Sequence, residues 1–355
     1  MARSAVGLIH ILLGAGLLLA VSPGEPAIKR PNLLDNIARP LRYSPDGTDL
    51  VIENGTESFN RPLYGGNTAF RVDAGDRPEF GLYLPGRGGV LRLGMRTGSG
   101  AKWLQDAGRI RAIYRSGSML YRISDGLLDQ AQIELTAIAL YNTEGLIVKV
   151  GLVESNEPIE LIWAYGGVNG QRGRRNVDIG AEDQPVSTWW QLRPEYCRDN
   201  QFVIEGNRFT LHSAHGQVFG LGPKGTQLAI SDANYWHWLD QLLGHLGQPT
   251  SQPVIVGRFV ITGDRPGWIL LQRARPEDMD LEEVFRLAEL QRSRIATRCI
   301  VETPDPFINA AASALNTATD AIWDEPSGTV MHGAVAWRSR LLGWRGPYAN
   351  DAMGC

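Results

Sequence analysis

The residues best suited to chemistry lie close to the end of the chain, in a tract rich in tryptophan and arginine. Trp337 and Trp344 can stack on the faces of pyranose rings. Arg338, Arg340 and Arg345 can donate paired hydrogen bonds to hydroxyl or uronate oxygens. Both residue types also have structural uses, because tryptophans fill cores and arginines tie loops together. The tract therefore predicts a substrate-contacting loop, with a packing role as the alternative.

Two earlier segments carry weaker signals for ligand binding. The glycine-rich stretch 166–178 is long and rich in hydrogen-bond donors, although a solvated loop explains this composition as well. The run 235–238 has the composition of an aromatic platform. Its tryptophans and the leucines that follow have near-helical spacing, which favours a short amphipathic segment packed on the sheet.

The spacing of potential ligands indicates neither a metal nor a cofactor. His212 and His215 lack a third ligand nearby, and Asp178, Glu182 and Asp183 do not follow the calcium-loop pattern. We therefore expect no metal and no cofactor.

Composition narrows the function classes. The chain has 355 residues, 43% of them hydrophobic, which is enough for a large core. Its net charge is only -3 and its lysines and arginines are scattered, so nothing indicates nucleic-acid binding. The three cysteines cannot form a disulfide framework. A Cys197–Cys299 bridge is conceivable, but idle thiols are the plainer expectation.

The N-terminus is typical of an export signal. A single Arg3 precedes an apolar run from Ala5 to Val21 and a small-residue region. We predict a signal peptide over residues 1–27 and a periplasmic or secreted protein, with an uncleaved anchor as the alternative. No later segment is apolar and long enough to span a bilayer, so we expect no membrane insertion after signal removal.

Strand signals dominate the middle of the chain. From residue 42 to residue 268, short runs with period-two or continuous apolar character alternate with turns rich in Gly, Pro, Asn and Asp. No helical pattern separates these runs, which favours a β-sandwich over a parallel α/β sheet. The predicted strands include 50–53, 109–115, 132–138, 146–153, 159–163, 202–205, 208–212, 254–261 and 268–271.

The pattern becomes helical after Pro276. Asp280 can cap a helix whose apolar face includes Leu281, Val284, Leu287, Ala288 and Ile295. Asp305 and Pro306 predict the start of a second helix. Its apolar stripe comprises Phe307, Ala311, Ala314, Leu315, Ala318 and Ile322. We expect this stripe to lack a partner within the chain, and a helical domain to continue beyond Cys355.

Several segments together resemble a known family. They are Phe59–Phe80, Tyr83-Leu-Pro-Gly, Tyr165–Gly170 with Asp178-Ile-Gly180, Pro194–Asn200 and the closing tract from His332 to Asp351. Over nearly all of the mature chain, the sequence resembles an uncharacterised bacterial family, a domain of unknown function grouped with the six-hairpin glycosidases.

The resemblance implies a mainly β fold: an antiparallel β-supersandwich, a linker helix and the first helix of a truncated (α/α)6 barrel. The corresponding domains are 28–275, 276–303 and 304–355. It also implies a carbohydrate substrate, with Asp351 holding a sugar hydroxyl. A helix cap is the alternative role for Asp351, since Asn350-Asp351-Ala352 is also a good helix start.

Catalysis by such a protein requires two carboxyl groups roughly 5–9 Å apart, depending on whether the configuration is retained or inverted. The sequence does not identify this pair, and we expect both groups beyond Cys355, so that the chain alone is inactive. The alternative to a glycoside hydrolase is a non-catalytic carbohydrate-binding or structural β-sandwich protein.

Overall fold

The computed structural model describes residues 41–155, 157–172, 186–276, 279–335 and 338–340. Within these ranges the chain forms twenty strands and four α-helices. The strands are β1 Ser44–Asp46, β2 Asp49–Glu53, β3 Arg61–Tyr64, β4 Arg71–Ala74, β5 Glu79–Tyr83, β6 Arg87–Thr97, β7 Gly100–Trp103, β8 Arg109–Arg115, β9 Ser118–Ser124, β10 Gln132–Ala139, β11 Gly145–Val153, β12 Ile159–Val168, β13 Gln201–Glu205, β14 Arg208–Ser213, β15 Gly216–Leu221, β16 Gln227–Asp232, β17 Pro253–Ile261, β18 Gly267–Gln272, β19 Trp323–Asp324 and β20 Thr329–Val330. The helices are α1 Val186–Trp189, α2 Leu239–Gly244, α3 Leu281–Ala296 and α4 Pro306–Ala321.

Two large antiparallel sheets form the sandwich. The ten-stranded sheet has the order β1-β2-β8-β9-β10-β11-β18-β15-β14-β13. The eight-stranded sheet has the order β16-β17-β12-β6-β5-β4-β3, and β7 extends it by pairing with β6. The predicted fold class, a mainly β chain with an antiparallel sandwich followed by helices, is therefore confirmed. All nine predicted strands are present, most of them one or more residues longer than predicted.

The main core lies between the two sheets. Because side chains alternate across a strand, every second residue of the central strands reaches this layer. On β6 these are Leu91, Leu93 and Met95, and on β10 they include Leu135 and Ala137, all fully buried. The strands are thus positioned by ordinary apolar burial, which leaves the two outer faces of the sheets available for other contacts.

Helix α3 covers the outer face of the ten-stranded sheet. Asp280 caps it as predicted, since its side chain accepts a hydrogen bond from the Glu282 amide at 3.0 Å. Leu281 and Ala288 pack on Ile147 and Leu270 of the sheet. The helix predicted as a linker is therefore also part of the sandwich.

Helix α4 begins at the predicted residues, with Asp305 accepting a hydrogen bond from the Phe307 amide. It buries a different face from its apolar stripe: Asn316 and Thr317 are buried, whereas Leu315 is 57% exposed. The Asn316 amide donates to the carbonyls of Ala296 and Cys299, both at 2.8 Å. These bonds satisfy the last carbonyls around the end of α3, so they fix α4 against it.

Other predictions have mixed outcomes. Cys197 is a buried free thiol and Cys299 a half-buried one, and Cys355 lies outside the described residues. Burial raises the pKa of Cys197 to about 12. Among the residues that the structure describes, no helix is long and apolar enough to cross a membrane. The predicted signal, 1–27, lies outside them, and the division into domains stays a prediction.

Candidate functional site

The segment after α4 folds into a small hairpin. We call residues 323–335 and 338–340 the C-terminal hairpin. Trp323 pairs with Val330 in the two-stranded β19–β20 ribbon, and Gly328 closes the turn in the left-handed conformation that glycine favours. A second fold-back follows, in which Met331 bridges to Arg340 and the His332 amide donates to the Ser339 carbonyl at 2.9 Å.

Arg338 ties this hairpin to the end of α4. Its guanidinium donates to the carbonyl of Ala321 at 3.1 Å and to the carboxylate of Asp324 at 2.8 Å. The side chain is only 6% exposed. Burial works against ionisation of Asp324, but hydrogen bonds from Ser327 and the charge of Arg338 outweigh it and lower the pKa of Asp324. Arg338 therefore caps α4, and its predicted contact with substrate stays a prediction.

The other residues of the predicted tract have different positions. Arg340 is exposed at the bridge to Met331, with its side chain facing solvent. His332 lies beside it in the same fold-back. Trp337, Trp344, Arg345 and Asp351 lie outside the described residues.

A loop of the sandwich holds the hairpin from the other side. This loop, 65–70, connects β3 to β4. The Asn67 side chain donates to the carbonyl of Asp320 at 2.8 Å, and its carbonyl accepts from the Glu325 amide at 2.8 Å. Gly65 lets the loop pass closely, because a Cβ there would lie 2.1 Å from the Leu140 carbonyl oxygen. The hairpin is therefore fixed by both α4 and the eight-stranded sheet.

Strands β3, β4 and β5 carry a polar and aromatic row on the outer face of that sheet. Tyr64, Arg71 and Tyr83 are cross-strand neighbours. The Arg71 guanidinium stacks over the Tyr83 ring at 4.1 Å, and its Nε donates to Asp73 at 3.2 Å. Its two terminal nitrogens are buried and have no hydrogen-bond partner within the described part of the chain. A buried guanidinium edge of this kind suits oxygen atoms of a ligand or of water.

The charges of this row and of the hairpin influence each other. Burial raises the pKa of Asp73, and the neighbouring Arg71 offsets only part of this effect. Burial likewise raises the pKa of Tyr64, while the charges of Arg71 and Arg338 oppose the rise. Tyr64 therefore lies within electrostatic reach of both arginines. This connects the predicted tract to residues that the sequence did not single out.

Arg87 anchors the described beginning of the second candidate segment. Its guanidinium lies 4.3 Å from the Trp189 ring and 3.8 Å from the Tyr196 ring, and burial lowers its pKa. It also donates to the Gln171 side chain at 3.0 Å. The Arg87 amide donates to the Gln171 carbonyl, and the Arg87 carbonyl accepts from the Gly170 amide, both at 2.9 Å. Gly170 and Gln171 are thus held by Arg87. Residues 173–178 lie outside the described ranges.

The remaining sequence candidates do not converge on a site. Among the described residues, no group of three or more His, Cys, Asp or Glu can hold a metal ion. The His212 ring contacts Gln217 instead. In the run 235–238, Trp236 is buried as predicted, but Trp238 is 56% exposed.

Sequence reasoning missed Tyr64, Arg71 and Asp73 as site residues. The available signal was the alternation in Arg71-Val72-Asp73-Ala74, which puts two charges on one face of a strand. Such a pattern normally indicates a solvent-exposed face. Only the structure shows that this face is covered, with Arg71 1% exposed and Asp73 3% exposed.

Comparison with known proteins gives a family but no activity. No curated protein matches the chain. One similar solved structure is a bacterial glucoamylase complexed with acarbose, at 12% sequence identity and a TM-score of 0.45. The match covers 76% of this chain and 42% of that chain, so this chain spans less than half the length of that protein. Residues 84–289, more than half of the chain, match a family model, and the chain therefore belongs to the family described as Domain of unknown function (DUF4450).

Proposed function

We propose that this chain is part of an exported carbohydrate-active protein, a glycoside hydrolase of the six-hairpin type, acting on poly- or oligosaccharide. The support is the resemblance of its segments to that superfamily and the order of its elements, a large antiparallel sandwich followed by two helices. In this proposal residues 28–275 form the sandwich domain, 276–303 the linker and 304–355 the start of the catalytic domain.

One observation carries the proposal furthest. The C-terminal hairpin, from which the tryptophan and arginine tract continues, is anchored on two sides, by Arg338 to α4 and by the bond of the Glu325 amide to the Asn67 carbonyl of the sandwich. A binding loop benefits from such support, because preorganised side chains lose less entropy when a ligand binds. Arg340 lies in this anchored hairpin and is exposed, so its side chain is accessible to a sugar. The proposed substrate-binding residues are Trp337, Arg338, Arg340, Trp344, Arg345 and Asp351.

The first test is saccharide binding by the 355-residue chain. Calorimetric titration with maltoheptaose, xylohexaose and tetragalacturonate is expected to give saturable binding for at least one of them. Arg340→Ala and Trp344→Ala should each weaken that binding about tenfold, equivalent to about 1.4 kcal/mol. Arg122→Ala is the matched control, since Arg122 is an exposed arginine that pairs with Glu134 on the ten-stranded sheet. Equal affinity of wild type, Arg340→Ala and Trp344→Ala would refute the assignment of the tract.

The second test concerns turnover and export. Without an identified acid and base the chain alone is expected to release no reducing sugar from these substrates. A longer protein that includes it should hydrolyse the saccharide that binds. Binding without hydrolysis by the longer protein would favour the non-catalytic sandwich instead. Export predicts that protein recovered from the periplasm or medium lacks residues 1–27, which N-terminal mass spectrometry can check.

A further inference from the structure

Two neighbouring cavities meet at Trp268, on the outer side of the ten-stranded sheet. Their volumes are about 530 and 690 Å³. Both are lined by Trp268, Pro223, Lys224 and Glu282, so that together they form one continuous groove. We call it the Trp268 groove. Each half lies within the range of roughly 300–1,000 Å³ that is typical of small-molecule sites.

The groove exists because β18 extends beyond its neighbour on one side. Trp268 pairs with Lys149 of β11, but β15 pairs with β18 only as far as Leu221. The chain then turns away over residues 222–226, leaving the indole beside a notch. The first turn of α3, with Glu282, forms the opposite wall.

The wall formed by residues 222–226 is held in place by local hydrogen bonds. The side-chain amide of Asn207 donates to the backbone carbonyl of Gly222 at 2.7 Å, and the Thr226 hydroxyl donates to the Pro223 carbonyl at 2.7 Å. The Gly222 amide donates back to the Asn207 carbonyl at 2.9 Å. This wall is therefore preformed, so a ligand need not order it on binding.

The groove is lined by charged groups of both signs that are not engaged by the protein. Lys224, Arg265 and Glu282 are exposed. None of the three makes an ion pair or a side-chain hydrogen bond within the part of the chain that the structure describes, although Arg265 lies within electrostatic reach of Asp264. Donors and an acceptor are thus available around an aromatic side chain.

This combination favours one ligand class. The lining holds Arg208, Lys224 and Arg265 against Asp264, Asp280 and Glu282, so its basic and acidic groups balance and favour neither an anion nor a cation. A purely apolar ligand would leave charged groups desolvated without compensation. A sugar ring has hydroxyl groups that both donate and accept hydrogen bonds, and an apolar face that suits an indole. We propose that the Trp268 groove binds a saccharide chain, independently of the C-terminal hairpin. The inference goes beyond the proposed function, because it adds a binding site on the sandwich itself.

The test separates this groove from the hairpin. The 355-residue chain is titrated calorimetrically with the same three oligosaccharides, together with Trp268→Ala and the double variant Lys224→Ala/Glu282→Gln. Compared with wild type, Trp268→Ala and the double variant are each expected to lose one class of saccharide-binding sites, or to bind saccharide at that class at least tenfold more weakly. Trp238→Ala is the matched control, because Trp238 is an exposed tryptophan outside the groove. The Arg340→Ala variant should retain the groove's binding, so failure of the hairpin proposal is distinguishable from failure of this one.

The outcomes decide the proposal even if Trp268→Ala is unfolded, because the double variant changes only exposed side chains and its fold can be checked by circular dichroism. Loss of binding in the folded double variant supports the groove. Affinity and stoichiometry that stay the same in the double variant and in a folded Trp268 variant would overturn it. No saturable binding by wild type up to about 10 mM saccharide, an affinity worth less than about 3 kcal/mol, would overturn it as well.

Discussion

Two regions on the outside of the sandwich have opposite character: the part of the ten-stranded sheet beneath α3, and the outer face of the eight-stranded sheet. The ten-stranded sheet presents apolar side chains such as Ile147 and Leu270 to α3. The eight-stranded sheet presents buried arginines and acids, paired with each other and stacked on aromatic rings. One face is stabilised by removing apolar surface from water, whereas the other requires each charge to have its partner. We call the first the tolerant face, because apolar packing accepts other apolar side chains of similar volume. We call the second the exacting face, because each buried charge there depends on a specific partner.

The pair Arg92–Glu79 is the clearest example on the exacting face. Both side chains are 3% exposed, and the guanidinium contacts one Glu79 oxygen at 2.9 and 2.6 Å. A third nitrogen donates to the Trp236 carbonyl at 3.1 Å, and the same guanidinium lies 4.9 Å from the Trp236 ring. Such a pair adds little net stability, but breaking it leaves a charge buried alone.

Removing one partner of this pair should have the largest effect. Glu79→Ala leaves the Arg92 guanidinium buried without its counter-charge, and we expect the free energy of unfolding to fall by about 3–5 kcal/mol. Urea denaturation at neutral pH, followed by tryptophan fluorescence, measures this change. The double variant Glu79→Met/Arg92→Met, which removes both charges, should recover most of the loss.

The matched control lies on α3. Arg286 likewise makes two contacts with Glu283, both of 2.6 Å and one to each carboxylate oxygen, but the Glu283 and Arg286 side chains are 47% and 60% exposed. Solvent screens this pair, so Glu283→Ala should change the stability little. Similar losses from Glu79→Ala and Glu283→Ala would mean that burial does not distinguish the two faces.

A cavity on the tolerant face should have a smaller effect. Leu281→Ala removes an apolar contact between α3 and the ten-stranded sheet, and we expect a loss of about 2 kcal/mol, at the low end for such substitutions because the helix end can settle. Leu281→Met, which keeps the volume, should cost less than about 1.5 kcal/mol. Urea denaturation of both variants checks this order. A Leu281→Met variant as unstable as Leu281→Ala would show that this face is as exacting as the other.

These two faces also show which parts of the molecule could be predicted from sequence. Helix α3 was predictable because its cap and its apolar period agree, and both are local signals. The charged face was not, since Arg71, Asp73 and Arg92 alternate with apolar residues in the way expected of a solvated strand. Their burial depends on aromatic residues distant in sequence, such as Trp190 and Trp236. The site residues Arg71 and Tyr64 were missed for this reason.

The apolar stripe of α4 illustrates the same limit from the other side. Periodicity identified the stripe correctly, but it did not indicate which face the helix buries. Asn316, a polar residue outside the stripe, is buried because it can satisfy two carbonyls at the end of α3. The buried face of α4 therefore combines Asn316 and Thr317 with Ala310 and Ala321, a combination that apolar periodicity alone does not indicate.

The cap of α3 should contribute less than its apolar contacts. Asp280→Ala removes the hydrogen bond to the Glu282 amide, and we expect a loss of about 1 kcal/mol. Asp280→Asn keeps an accepting oxygen and should lose only part of this. Hydrogen exchange of the first-turn amides and urea denaturation measure the effect. A loss equal to that of Leu281→Ala would indicate that the cap, and not the packing, holds the helix on the sheet.

The smallest expected effect is a pH dependence at the edge of the charged face. His237 as a whole is exposed, but partial burial of its ring lowers its pKa below the ordinary value of 6.5. The charge of Arg92 lowers this pKa further, and Glu79 and Asp106 partly oppose the shift. Between the lowered pKa and 6.5 the unfolded chain binds more protons than the folded one. The contribution of neutral His237 to the free energy of unfolding is therefore fully present above pH 6.5. It is lost as the pH falls from 6.5 through the lowered pKa of His237.

His237→Gln should remove this part of the pH dependence, which urea denaturation at a series of pH values can detect.

The Glu79→Met/Arg92→Met variant tests the effect of the charged pair on His237. It removes both charges, so that burial remains as the main cause of the lowered His237 pKa. Arg92 lowers the pKa of His237 and Glu79 raises it. The difference in the His237 pKa between wild type and this variant, measured by NMR, therefore gives the net electrostatic effect of the Arg92–Glu79 pair on His237. A titration that does not move would mean that the two charges cancel at this distance. The charged face would then act on its surroundings through packing alone, as the apolar face does.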